Sequence, residues 1–129
     1  MNDQKEKIEK AGTFFRFEDL RVYHKSLDYI NWLQDVTMLF PNNSSDFVNQ
    51  YNVSARNIAF FIAEGSARNH KNEFKQFLYI SLSSCSELNT QLTIAQNLDY
   101  IDSVACNTLL NELEIISKML QGLIKSINK

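Results

Sequence analysis

Hydrophobic side chains recur every three or four residues along most of the chain from Phe17 onward. This spacing places side chains on one side of an α-helix. Polar breaks near residues 41–45, 65–69 and 97–102 divide the pattern into four segments. No segment alternates apolar and polar residues, with β-branched enrichment, over the length of a strand. The pattern therefore predicts an all-α protein, an antiparallel up-down-up-down four-helix bundle.

The first segment predicts a helix over residues 18–40. Glu18 and Asp19 favour a helix start, and Pro41 ends the helix. The apolar stripe of this helix is predicted from residues at heptad spacing, which are Leu20, Tyr23, Leu27 and Ile30. Further apolar residues widen the stripe, namely Trp32, Leu33, Val36 and Leu39.

The remaining three helices have recognisable ends and apolar seams. Gly65 is predicted to end the second helix, because glycine takes a positive φ at little cost. The predicted N-caps are Ser44 or Ser45 for the second helix, Asn69 for the third, and Asp102 or Ser103 for the fourth. The predicted core positions are Val48, Tyr51, Ala55, Ile58 and Ile62, then Phe74, Phe77, Leu78, Ser81, Cys85, Leu88, Leu92 and Ala95, then Leu109, Leu113, Ile116, Leu120, Leu123 and Ile127.

Length and composition agree with this architecture. A chain of 129 residues can bury a self-sufficient core, and its 3 glycines and 1 proline favour long helices with few connections. We expect a flexible N-terminal arm over residues 1–15 and a single four-helix-bundle domain over residues 16–129. The arm lacks an apolar signal segment, and no apolar run reaches the roughly 18 residues of a membrane span. The sequence thus predicts a cytoplasmic protein with no membrane partner.

Candidate chemistry is sparse. The two histidines and two cysteines, His24, His70, Cys85 and Cys106, are scattered rather than grouped at metal-ligand spacing. Neither histidine belongs to a Glu-x-x-His motif of the kind that di-iron bundles use. Cys85 lies on the apolar seam of the third helix, which favours a small buried hydrophobe over a nucleophile. We therefore predict no metal, no cofactor, no catalytic residue and no enzymatic activity.

Four groups of residues resemble one protein family in their order and spacing. They are Phe17-Glu18-Asp19-Leu20 with Tyr23; Phe40-Pro41; Asn57-Ile58 with Ile62-Ala63-Glu64-Gly65 and Arg68; and Glu73-Phe74 with Phe77-Leu78-Tyr79-Ile80-Ser81, Ser84, Ser86-Glu87-Leu88 and Gln91-Leu92. The chain is similar from about residue 16 to 127 to the four helix bundle protein family. Its founding members are encoded in intervening sequences of bacterial 23S rRNA genes, and its relatives include the accessory variability protein of diversity-generating retroelements.

The resemblance implies an all-helical bundle that assembles as a ring-shaped homopentamer, with a nucleic-acid connection and no known catalysis. Some positions depart from the family pattern. Ala59 and Phe61 stand where a proline and an asparagine are frequent, Val53 where a basic residue is common, and Ser83 where a glycine is usual. The net charge of -2 also contrasts with the basic retroelement relatives.

The family motif singles out Glu64, Gly65 and Glu87. Glu64 and Arg68 are four residues apart, so on a helix they can form a surface ion pair. The alternative is a carboxylate that binds a ligand or bridges subunits. We favour a structural or interface role for all three motif residues.

A small basic group surrounds the start of the third helix. It consists of Arg68, Lys71 and Lys75, near His70. Cations at a helix N-terminus can bind phosphate groups, so these residues are the nucleic-acid candidates. The alternative is a solvated helix end whose charge is diluted by Glu73 and Glu64.

Several large apolar residues lie off the core seams, and a single subunit would leave part of them exposed. The candidate oligomer-interface residues are Trp32, Phe60, Phe61, Tyr79 and Leu82, with Tyr29 beside them. The sequence thus predicts a homo-oligomeric, non-enzymatic scaffold or interaction module, a pentamer by the resemblance, with an undefined macromolecular partner. The alternative is a nucleic-acid-binding accessory protein.

Overall fold

The computed structural model describes Phe17 and residues 20–128, except for the side chains of Asn43 and Asn128, so the predicted arm over residues 1–15 lies outside the described part. Within that part there are four α-helices and no strand: α1 (Arg21–Thr37), α2 (Ser45–Ser66), α3 (Lys71–Asn97) and α4 (Ser103–Asn128). A short 3-10 helix, Asn42–Ser44, precedes α2. Each helix packs against the next in the chain, and α1 also packs against α4. The prediction of an all-α four-helix bundle is confirmed.

The core lies between the helices and follows the predicted seams of α3 and α4 closely. In α3 the predicted positions are buried except for Phe77, which is half-buried. In α4 Leu123 is also half-buried, and the next residue, Ile124, takes the core position. Drift of this kind is expected when a straight helix of 3.6 residues per turn carries a seven-residue pattern.

The predicted apolar stripe of α1 is wrong, because a different side of the helix faces the core. The buried residues of α1 are Val22, Ser26, Tyr29, Leu33 and Thr37. Of the residues predicted to form the stripe, Leu20, Tyr23 and Ile30 are only partly buried, and Leu27 is exposed.

Polar residues on the inward side of α1 explain this difference. The hydroxyl of Ser26 donates a hydrogen bond to the carbonyl of Tyr23 at 2.7 Å, and that of Thr37 donates to Gln34 at 3.1 Å. Both hydroxyls are therefore satisfied by their own helix and can be buried at little cost. A pattern that counts only apolar residues misses such positions.

The helix ends correct some of the predicted boundaries. Helix α1 begins at Arg21 and ends at Thr37, inside the predicted range of 18–40. Helix α2 begins at Ser45, so Ser44, one of the two predicted caps, is at the N-cap position. Its hydroxyl donates to the carbonyl of Pro41 and makes no side-chain cap. The N-cap of α3 is His70 rather than Asn69, and it makes no side-chain hydrogen bond to the helix.

Asp102 caps α4 as predicted. Its Oδ1 accepts a hydrogen bond from the backbone N–H of Ala105 at 2.8 Å. This bond satisfies one of the N–H groups that lack a partner within the first turn of a helix. In the preceding turn Asp99 has a φ of 61°, so it supplies the left-handed residue that reverses the chain between α3 and α4.

Gly65 has a different role from the predicted one. It lies within the last turn of α2, which ends at Ser66, and it has no positive φ. A Cβ atom at this position would lie 2.7 Å from the Cβ of Phe77 and 3.0 Å from Cδ1 of Phe74. Glycine is needed here because α3 approaches the backbone of α2 closely.

Candidate interaction surface

The family motif around Gly65 builds a layered contact between α2 and α3. The rings of Phe61 and Phe77 stack with centroids 6.2 Å apart, and the Arg68 guanidinium lies 4.8 Å from the centroid of Phe77. Nη2 of Arg68 is 2.7 Å from Oε1 of Glu64. Glu64 thus orients Arg68 over the Phe77 ring, and the absence of a side chain at Gly65 lets Phe77 approach α2.

This arrangement bears on the nucleic-acid candidates. The Arg68 side chain is partly exposed, but its charge is paired with Glu64. Lys71 is exposed at the first residue of α3, and Lys75 is half-buried one turn later. Glu73 is exposed between them, in the acidic first turn of the helix. The three candidates therefore lie in a region of mixed charge, and their binding of nucleic acid stays a prediction.

A second apolar pattern faces away from the core on α2 and α3. Val53 and Phe60 are seven residues apart on α2 and both are exposed, Phe60 to 62% of its full area. Ile80 and Ile94 are fourteen residues apart on α3 and are each 42% exposed. A spacing of seven residues keeps side chains on one face of a helix, so each pair forms an outward stripe.

Acidic residues complete the α3 stripe. Glu73 and Glu87 are exposed and share the seven-residue register of Ile80 and Ile94, so glutamate and isoleucine alternate along it. We call this surface the outer face, consisting of Val53, Phe60, Glu73, Ile80, Glu87 and Ile94. The motif residue Glu87 therefore belongs to an exposed surface and is separate from the contact that Glu64 and Gly65 make.

The predicted interface residues do not share one environment. Phe60 and Tyr79 are exposed, whereas Trp32, Phe61 and Leu82 are half-buried and Tyr29 is buried. Trp32 packs edge-to-face on Tyr29, 6.2 Å between centroids, and Leu82 packs against the core. Tyr79 precedes Ile80 by one residue, so it points about 100° away from the outer face.

Sequence reasoning missed Val53, Ile80 and Ile94. The available signal was their seven-residue spacing, because Val53 and Phe60 share a register that is offset from the core seam, as do Ile80 and Ile94. Apolar residues repeating at heptad spacing on both sides of a helix indicate a second packing surface.

The buried titratable groups are unsuited to nucleophilic chemistry. Burial raises the pKa of the Cys85 thiol to about 11, although a hydrogen bond with Ser117 acts in the opposite direction. Burial also raises the pKa values of Cys106 and Tyr29, and the Tyr29 hydroxyl donates to the carbonyl of Leu109 at 3.0 Å. Both thiols are therefore protonated near neutral pH, and the thiolate is the reactive form.

The surface grooves contain few charged side chains. A groove of about 340 Å³ between α1 and α4 contains the ion pair of Lys25 and Glu112, whose Nζ and Oε2 are 3.3 Å apart, together with Asp28. Another groove, of about 440 Å³ between α3 and α4, is lined mainly by uncharged side chains. Its one charged residue is Glu114, whose Oε1 is 3.3 Å from Nζ of Lys118. Among the residues that the structure describes, no three His, Cys, Asp or Glu side chains group as metal ligands. None of the helices in the described part of the chain is long and apolar enough to cross a membrane.

Comparison with solved structures supports the fold. The structure is similar to the crystal structure, at 1.70 Å resolution, of a protein of unknown function from the S23 ribosomal protein family of Bacteroides thetaiotaomicron VPI-5482. The two superpose with a TM-score of 0.75 over 81% of this chain and 95% of the other, at 23% sequence identity. No curated protein matches the sequence.

The sequence profile of one family matches most of the chain. It covers residues 18–122 and describes the 23S rRNA-intervening sequence protein. The matched range includes the Glu64–Arg68 pair, Gly65 and the whole outer face. The relation to the retroelement accessory protein stays a prediction. The chain belongs to the 23S rRNA-intervening sequence protein family.

Proposed function

We propose that the protein is a non-enzymatic scaffold that assembles into a homo-oligomer through its outer face and offers the assembled surface to a macromolecular partner. The resemblance to the family suggests five subunits in a ring. The observation that carries the proposal is the exposed apolar register on α2 and α3, where Phe60 is 62% exposed and Ile80 and Ile94 are 42% exposed.

The energetic argument is that such a surface is costly to leave in water. Fully burying a large apolar side chain contributes about 1.5 to 3 kcal/mol, so covering the exposed 42% of Ile80 or Ile94 contributes about 1 kcal/mol. Exposed apolar patches bordered by polar residues often mark contact surfaces. The stripes also repeat over two helices that already pack tightly together, so the surface is presented on a rigid support. Rigid, preformed surfaces lose little conformational entropy on association.

The test is to make the outer face polar and follow the mass of the assembly. The double variant Phe60→Ser/Ile80→Ser should dissociate the oligomer in light scattering, because it removes two exposed apolar contacts without touching the core. Met38→Ser/Leu39→Ser is the matched control, since both residues are exposed apolar side chains beyond the end of α1. Retention of the assembled mass by the outer-face variant would contradict the proposal.

The second candidate function is nucleic-acid binding at the start of α3. The observation that favours it is the position of Lys71 and Lys75 on the first two turns, where the helix dipole is positive. Lys71→Glu/Lys75→Glu should weaken binding of structured RNA at 50 mM salt, and affinity should fall steeply with added salt. Salt-independent binding, or none at low salt, would count against this function.

A further inference from the structure

We infer that the copies associate head to tail, with the outer face of one subunit docked on the solvent side of α4 of the next. This inference rests on the proposed homo-oligomerisation and adds the identity of the receiving surface. We call that surface the α4 face, consisting of Val104, Ile115, Lys118, Gly122 and Lys125. All five residues are exposed, Val104 to 75% of its full area.

The α4 face has the geometry of a receiving surface. Val104, Lys118 and Lys125 are spaced by multiples of seven, and Ile115 and Gly122 form the adjacent row seven residues apart. Two neighbouring rows at heptad spacing form the ridge and groove into which another helix can pack. This surface is therefore compatible with the heptad register of the outer face.

Packing within a single subunit gives no reason for a glycine at position 122. A glycine inside a helix costs about 1 kcal/mol relative to alanine. A Cβ at Gly65 would collide with α3, but a Cβ at Gly122 would meet nothing within 4 Å. A large side chain of a second copy can approach the backbone at Gly122, and exposed Phe60 on the outer face is a residue of suitable size.

The charges of the two faces are complementary. The outer face has Glu73 and Glu87, with exposed Arg56 between Val53 and Phe60. The α4 face has Lys118 and Lys125, with exposed Glu114 beside them. The outer face is therefore acidic on balance, and the α4 face is basic on balance. Lys118 pairs with Glu114 on its own helix at 3.3 Å, but both side chains are mostly exposed, so the pair is weak. Two outer faces brought together by a two-fold axis would oppose glutamate to glutamate, which disfavours that arrangement.

The placement of the helices allows a head-to-tail contact to close. Helix α4 packs against α3 and α1 but not against α2, so α4 and α2 are diagonal in the bundle. The outer face lies on α2 and α3, and one of its two helices is therefore adjacent to α4. The two faces lie on different sides of the bundle, as a head-to-tail contact requires, and such a contact generates a ring where the rotation between neighbouring copies closes.

Charge reversal tests this contact. Glu73→Lys/Glu87→Lys and Lys118→Glu/Lys125→Glu should each raise the half-assembly concentration about tenfold or more, measured by sedimentation velocity. An equimolar mixture of the two variants should assemble better than either variant alone, because a contact between the two variants joins opposite charges. A ring of five contains at most four such contacts, so the recovery is partial. The chain with all four substitutions should also assemble, whereas Asp35→Lys on α1 is the control and should change nothing.

The outcomes separate this inference from the proposed function. If only the outer-face reversal dissociates the oligomer and the α4 reversal does not, assembly through the outer face stands and the head-to-tail contact is overturned. Failure of the chain with all four substitutions to assemble would overturn it as well, because every contact of that chain joins opposite charges. A wild-type chain that is monomeric would defeat the proposed function itself. Circular dichroism of each variant checks that the helices are retained.

A second variant tests the role of Gly122. Gly122→Gln introduces a good helix former into open space, so the isolated subunit should be at least as stable as the parent. The added side chain should obstruct the neighbouring copy and raise the half-assembly concentration. Unchanged assembly of Gly122→Gln would contradict the close approach at this position.

Discussion

The two sides of α3 carry similar patterns in opposite environments. On the inward side Leu78, Leu88 and Leu92 are fully buried, and on the outward side Ile80 and Ile94 keep 42% of their area in contact with water. Both sets follow helical spacing, so local sequence alone does not distinguish them. The inward side holds the subunit together, and we propose that the outward side holds subunits to one another.

The largest expected effect comes from truncating one apolar side chain on each side of α3. Leu88→Ala should lower the free energy of unfolding by about 2 to 5 kcal/mol, because it leaves a cavity in a fully buried site. Ile80→Ala should lower it by much less when the subunit is measured below its assembly concentration. Urea unfolding at several protein concentrations separates the two contributions. Equal losses for both variants at low concentration would contradict the comparison.

The next effect uses the titration of Cys85 on the inward side. Burial raises the pKa of this thiol from 9.0 to about 11, so the folded chain keeps a proton that the unfolded chain releases. Its contribution to stability is complete below pH 9 and is lost as the pH rises through about 11. Two pKa units correspond to about 2 to 3 kcal/mol.

Cys85→Ala should therefore lose less stability between pH 9 and 11 than the parent chain does, as measured by urea unfolding at each pH. Cys106 and Tyr29, whose pKa values are also raised, will leave part of the pH dependence in place. Identical pH profiles for the variant and the parent would show that Cys85 is not shielded from water.

Substitutions of the two glycines extend the comparison to smaller changes in the stability of the subunit. Gly65→Ala should destabilise the subunit by about 1 to 3 kcal/mol, since the new Cβ would lie 2.7 Å from the Cβ of Phe77. Gly122→Ala should stabilise the subunit by up to about 1 kcal/mol, because its Cβ meets no neighbour and alanine favours the helix. Thermal unfolding of the two variants should give shifts of opposite sign, and shifts of the same sign would refute this assignment.

The smallest effect concerns the exposed ion pair of the family motif. Glu64→Gln should cost only a few tenths of a kcal/mol, because both side chains of the Glu64–Arg68 pair are substantially exposed. The same substitution frees Arg68 from its carboxylate partner. Urea unfolding measures the cost, and a loss above about 1 kcal/mol would indicate a role in the fold that the ion pair does not explain.

Much of the bundle could be predicted from the sequence. The seams of α3 and α4 are long and regular, and Asp102 has a short acidic side chain of the kind that is favoured at an N-cap. The rotation of α1 could not be predicted, because Ser26 and Thr37 are buried through hydrogen bonds to their own helix. The role of Gly65 could not be predicted either, since close approach depends on the partner helix.

The candidate surface was predicted only in part. Phe60 and Tyr79 are exposed as an interface requires, but Trp32 and Leu82 pack against the core. Periodicity tells which residues share a side of a helix, whereas the choice of the inward side depends on how four helices pack together. Two competing stripes on α3 can therefore be assigned only once the fold is known.

The native mass of the wild-type chain tests the central claim most directly. The proposal predicts that multi-angle light scattering at micromolar concentration gives a multiple of the 15.0 kDa subunit, about 75 kDa for five copies. A single species of 15.0 kDa at that concentration would contradict it, because the outer face would then be stable in water without a second copy.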